Sequence, residues 1–219
     1  MGEPASGREV PEAVDGALTA VLMPVLLHKL SNATQLLSSL NALLSIEGGA
    51  ELALSRTNDM ARTSSQVEDL GWLLAALASA SGADLLLERR ERRGLAIFSN
   101  ALQEALRRRG CELLVDPSTL PDISREALDG WELPWVLCSL VLASAGPNAR
   151  AEPLVLRFEA GTGTGRAEFE LHGAPVPAGS AQRVLLRLPG AELVSRPDGW
   201  VLGVPARWLR ELDPKPRTH

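Results

Sequence analysis

Lysine is almost missing from this chain of 219 residues: there are two, Lys29 and Lys215, and the other basic residues are arginines. Histidine and cysteine are nearly as scarce, with three and two. The cysteines, Cys111 and Cys138, lie far apart and outside any CxxC pair, so neither a structural zinc site nor a disulfide is implied. Two buried thiols in a reducing cytoplasm are expected instead. Long apolar runs are missing too. Pro24, His28, Gly71 and several serines interrupt them, so no membrane-spanning helix is expected. The start, MGEPASGREVPEAVDG, lacks the basic-then-apolar pattern of a secretory leader, and a cytoplasmic location follows as the expectation. Positive charge is not in excess. The net charge is −5, which argues against a nucleic-acid binder.

What is present suits a globular protein. Hydrophobic residues make up 45% and charged residues 22%, enough to bury the core of one large or two small domains. Disorder throughout, collagen and a coiled-coil rod are excluded.

Residues 1–14 are polar and read as a flexible tail. From about Asp15 to Ile46 the pattern is helical. Met23, Leu26, Leu30, Ala33, Leu37, Leu40 and Leu44 follow a 3,4 spacing, a heptad seam that Leu22, Val25, Leu36 and Leu43 widen. Pro24 should bend this helix or cost it one hydrogen bond. Gly48-Gly49 stops it, and a second helix is predicted over about 50–80, with an apolar stripe of Leu52, Met60, Val67, Leu70, Leu74 and Leu77. Two such helices form an antiparallel hairpin, and one hairpin cannot cover so broad an apolar surface. A homodimer with a four-helix bundle is the expectation.

After Ser81-Gly82 the period changes. Leu85–Leu87 reads as a short strand, Leu95–Arg109 as an amphipathic helix ended by Gly110, and Cys111–Asp116 as a strand. Residues 125–145 form an apolar helix with Pro134 inside it. Residues 153–160 and 165–173 alternate as strands across GTGTG, a stretch read as a hairpin turn and not a phosphate loop. Residues 178–188 form a short helix, and 191–206 a hairpin turning at Pro197-Asp198-Gly199. The fold class is α+β: a long helical hairpin at 15–82, then a sandwich at 83–213 with helices on one face of a mixed sheet, and a tail at 214–219. Trp131, Trp135, Trp200 and Trp208 are expected to pack the sandwich. Glu88–Arg93 and Arg107–Arg109 read as solvated charge.

The strongest chemical candidate is His28, in LLHKLSNATQ. Ser31, Asn32 and Gln35 share its helix face, while the leucine seam lies mostly elsewhere. A phosphoacceptor histidine needs a neutral, reachable imidazole on a rigid element, and this stripe supplies one. His172 and His219 have no ligand-spaced partners.

With these residues the chain resembles the bacterial histidine-kinase core, a dimerising hairpin carrying a phosphoacceptor histidine and then an ATPase-like sandwich. The family motif is His, an acid, two variable residues, then Asn or Thr. Here it reads His28-Lys29-Leu30-Ser31-Asn32, with Lys29 in place of the acid that serves as base in autophosphorylation. The metal-holding asparagine pair of the family is replaced by Ser139-Leu140-Val141-Leu142-Ala143-Ser144. The Asp-x-Gly-x-Gly motif is replaced by His172-Gly173-Ala174-Pro175-Val176-Pro177-Ala178-Gly179. The resemblance therefore implies a kinase-like fold without nucleotide chemistry, most similar to the histidine phosphotransferases of multistep phosphorelays.

It also implies the roles. His28 would be the phosphoacceptor, Lys29 its charge partner, and Asn32, Ser31 and Gln35 its polar surround. Val21, Leu22 and Val25 would give apolar contact to a response-regulator receiver domain. No cofactor is expected on this chain, since Mg²⁺ would belong to the receiver. The alternative expectation is a non-catalytic, pseudokinase-type regulator that binds and inhibits a receiver or a histidine kinase.

Overall fold

A computed structural model describes residues 12–46, 51, 54, 56–80, 93–124, 131–160 and 165–210, with the backbone alone for 12–15 and 185. The predicted Gly48-Gly49 stop, the Leu85–Leu87 strand, the turn at 161–164 and both tails lie outside the described residues.

Two long helices come first, α1 (Glu12–Leu44) and α2 (Thr57–Ala80). Pro24 is accommodated inside α1, which continues through it. Leu26 and Lys29 of α1 line the same cleft as Gln66, Asp69, Leu70 and Leu73 of α2. Residues about equally far from the connection therefore sit level, as in an antiparallel pair. The expected seam splits in two. Leu26, Ala33 and Leu40 are buried, whereas Leu30, Leu37 and Leu44 are exposed. The stripe on α2 splits the same way: Leu70 and Leu77 are buried, as is the polar Thr63 one heptad earlier, whereas Met60, Val67 and Leu74 are exposed; Leu52 lies outside the described residues. Each set recurs every seven residues, so one half of each seam faces the chain's own core and the other half faces outward.

Next come α3 (Gly94–Arg108), β1 (Leu113–Leu114), β2 (Asp122–Ile123), α4 (Glu132–Ala145), β3 (Leu154–Ala160), β4 (Arg166–His172), α5 (Ser180–Arg187), β5 (Glu192–Arg196), β6 (Gly199–Pro205) and β7 (Leu209–Arg210). Gly110 ends α3 as expected. Its φ of 72° is the left-handed value that glycine adopts at little cost, and Cys111 N–H donates to the Leu106 carbonyl at 3.0 Å to close the turn. α4 begins at Glu132, so Pro134 stands in the first turn, where its missing N–H would have had no helical partner.

The main sheet has the order β1-β3-β4-β6-β5, with β1 parallel to β3 and the other pairs antiparallel. A second sheet pairs β2 with β7. Sequence reading missed it because each strand is two residues long, too short for a period. The core is continuous. Leu18, Leu22 and Leu26 of α1, Leu70 and Leu73 of α2, Phe98 of α3, Trp135 of α4, and Phe169 and Trp200 of the sheet belong to one cluster. Phe98 joins the helical pair to the sandwich through edge-to-face contacts with Trp72, at 5.7 Å, and Trp135, at 6.1 Å. Of the expected sandwich tryptophans, Trp135, Trp200 and Trp208 are buried.

The opposite face of the sheet carries charge. β6 presents Gly199, Val201 and Gly203 there, none with a long side chain. Arg166 of β4 can therefore reach across β6 to Glu192 of β5 at 2.8 Å, and Arg196 of β5 reaches back to Glu170 of β4 at 2.8 Å. Both cysteines are free and buried. Burial pushes both thiols up, which keeps them protonated.

Candidate functional site

α1 holds His28 one turn before Asn32, and both side chains are exposed. Asn32 Nδ2 lies 3.3 Å from His28 Nε2. In the tautomer that carries its proton on Nδ1, Nε2 accepts from this amide and keeps its lone pair on the outer nitrogen. A neutral, exposed and oriented imidazole nitrogen is a nucleophile. Ser31 and Gln35 are exposed on the same face. With Leu27, Leu30, Thr34 and Ser38 they line an open, shallow groove along the helix.

Two expectations are corrected here. Leu22 and Val25 are fully buried, and Val21 is partly buried against the same cluster. They hold α1 on its own core, so Leu22 and Val25 cannot offer apolar contact to a partner. The exposed apolar residues beside His28 are Leu27 and Leu30. Lys29 is not turned toward His28 either. Its Nζ lies 3.3 Å from Glu104 Oε2 on α3, and Glu104 Oε1 also accepts from Arg108 at 2.7 Å. Helix geometry is the reason: adjacent residues project about 100° apart, so Lys29 leaves the face of His28 and meets α3. Sequence reading did not single out Glu104. The spacing of Glu104 and Arg108 is visible in the sequence, but the pairing with Lys29 joins two distant segments.

The segment aligned by resemblance with the nucleotide loop is residues 173–179, which follow β4. Arg150 pins it, donating to the Gly173 carbonyl and, at 3.3 Å, to the Ser144 carbonyl at the end of α4. The Trp200 indole donates to Ser144 Oγ at 2.9 Å, and Ser144 Oγ in turn donates to the Pro175 carbonyl at 3.5 Å. Beside this segment, α4 and α5 leave an apolar slot of about 60 Å³ lined by Trp135, Val136, Leu140, Val184 and Leu186. Among the described residues, no group of three or more His, Cys, Asp or Glu is placed to hold a metal ion. Among them, too, no helix is long and apolar enough to cross a membrane.

In comparisons with known proteins, no family model and no curated protein matches this chain.

Proposed function

We propose that this chain is a histidine phosphotransferase of a two-component phosphorelay, moving phosphate between receiver-domain aspartates through His28 without ATP. The observation that carries the reading is His28 itself: exposed in the middle of a rigid helix, with Nε2 held by Asn32 at 3.3 Å. In the reaction the lone pair of Nε2 displaces the Asn32 contact and attacks the phosphorus of an aspartyl phosphate. The N–P bond forms as the bond from phosphorus to the carboxylate oxygen breaks, and the carboxylate leaves with the electron pair. The ring keeps its Nδ1 proton, and the resulting positive charge faces the phosphoryl oxygens. The carboxylate of a second receiver reverses the step. Mg²⁺ would be supplied by the receivers.

The split seams support a homodimeric four-helix bundle. From Leu30 to Leu44 the exposed face of α1 carries no charged residue. Solvated helix faces usually carry charge, whereas the centres of interfaces are depleted of it. A second copy would bring the same half-seams, Leu30, Leu37 and Leu44 with Met60, Val67 and Leu74, against these ones. Such a two-fold contact is self-complementary. The sandwich, read as ATPase-like, would bind no nucleotide, because residues 139–144 and 172–179 lack the metal-holding asparagines and the aspartate that the resemblance would require.

One observation favours a second reading. Lys29 is engaged by Glu104, which leaves His28 without the cation that a phosphoryl group would meet. In that reading the protein is a non-catalytic regulator that binds a receiver or a kinase. A single experiment separates the two. Receivers labelled on aspartate are mixed with the protein without ATP. Acid-labile, base-stable label on the wild type that is lost in His28→Gln supports phosphotransfer. Tight complexes without label support the regulator.

A further inference from the structure

We propose that His172 is a protonated bridge between Asp198 and Glu170, a pH-sensitive clamp over the start of the 173–179 loop. Its Nδ1 lies 3.0 Å from Asp198 Oδ2, and its Nε2 lies 3.3 Å from Glu170 Oε2. A neutral imidazole has one N–H. It could donate to one carboxylate only, and its lone pair would face the other. With both ring nitrogens protonated, the Asp198 contact becomes a charge-assisted hydrogen bond and the Glu170 contact an ion pair. Both nitrogens face carboxylates, so the ring has no lone pair to offer a metal or a substrate.

The surroundings favour that state. On β4 the nearest charge is Glu170, with Glu168 and Arg166 further along the strand. On β5, Arg196 pairs with Glu170 at 2.8 Å. On β3, uncharged Val155 stands opposite His172, and Arg157 opposite Glu170. On β6, Gly199 stands opposite His172 and adds no charge. The turn between β5 and β6 supplies Asp198. The hydrogen bond with Asp198 holds the imidazole above its usual value of 6.5, partial burial opposes this, and the charge of Glu170 adds to it. The His172 hydrogen bond holds Asp198 correspondingly below the usual carboxylate range.

The clamp has something to hold. Gly173 N–H donates to the Asp198 carbonyl at 2.8 Å, and the Gly173 carbonyl accepts from Arg150. The imidazolium thus fastens the β5–β6 turn to the first residue of the loop that leads into α5. Because the folded value is raised, the clamp's stabilisation is fully present below the unfolded value. It is lost as pH rises through the midpoint of His172.

The test is an NMR titration of the histidine ring protons in the full chain, with His172→Gln assigning the signal. A midpoint above 6.5 that falls in Asp198→Asn is the expected result. A midpoint at or below 6.5, or one that Asp198→Asn leaves unmoved, overturns the bridge. Thermal melts at about pH 5.5 and about pH 8.5 give a second reading. The wild type should lose more Tm between them than His172→Gln does, and equal losses overturn the clamp. All the variants change exposed or half-exposed side chains, so folding itself is not at stake.

Discussion

Leu37→Ala should weaken self-association while leaving the fold of the protomer intact. Leu37 is 55% exposed on α1, so truncating it removes little from the chain's own core. An exposed helix position changes stability by about 0.5 kcal/mol or less, and alanine is the better helix former. In the proposed dimer, covering the exposed half of a leucine would contribute about 1 kcal/mol, taken from roughly 1.5–3 kcal/mol for burying the whole side chain. Two-fold symmetry counts each loss twice, giving about 2 kcal/mol, or roughly a 30-fold rise in Kd. Leu37→Glu should act more strongly, because it puts two unpaired carboxylates into the same seam. Sedimentation equilibrium reads the outcome directly against a protomer mass of 23.4 kDa. Leu40→Ala is the contrasting control. Leu40 is 4% exposed, so its truncation should cost the protomer about 2–5 kcal/mol and lower the Tm. A wild type that stays monomeric at tens of micromolar, or a Kd unmoved by both Leu37 variants, would refute the reasoning.

Three further outcomes test the sandwich. Ser144→Ala leaves the Trp200 indole N–H without the acceptor it now has at 2.9 Å; denaturant unfolding should show a loss of about 1–3 kcal/mol with an unchanged m-value. A Cβ on Gly199 would sit 1.8 Å from the Leu171 carbonyl oxygen, whereas one on Gly203 would meet nothing closer than 3.6 Å. Gly199→Ala should therefore cost more than about 4 kcal/mol or fail to fold, and Gly203→Ala should melt near the wild type. Gln103 Nε2 donates to the Leu113 and Val115 carbonyls at 3.1 and 2.9 Å, satisfying the free edge of β1. Gln103→Leu should lose about 1–2 kcal/mol in urea and raise light scattering on heating, as an unguarded edge pairs with other chains.

Local pattern carried much of the fold. The strands at 154–160, 166–172, 192–196 and 199–205 fall where alternation and turn residues put them. Alternation reports which side faces a core, and turns need particular backbone angles; both are short-range properties. The end of α3 at Gly110 is legible for the same reason. The pairing of β2 with β7 was not. Two-residue strands have no period, and their partners lie at opposite ends of the sandwich. At the candidate site, the shared face of His28 and Asn32 followed from helical spacing. The fate of Lys29 did not, because Glu104 reaches it only after α3 docks on α1.

Residue spacing alone settled which residues could share a helix face or a strand side, because those periods are fixed by backbone geometry. It also determined that His28 would stand on a polar stripe. Packing between the helices selected which half of each heptad seam is buried, since periodicity marks apolar positions without saying what covers them. Tertiary packing established likewise that Leu22 and Val25 belong to the protomer's own core, and that His172 sits between two carboxylates. Those results depend on contacts between segments far apart in the chain, and such contacts exist only once the helices and the sheet have packed.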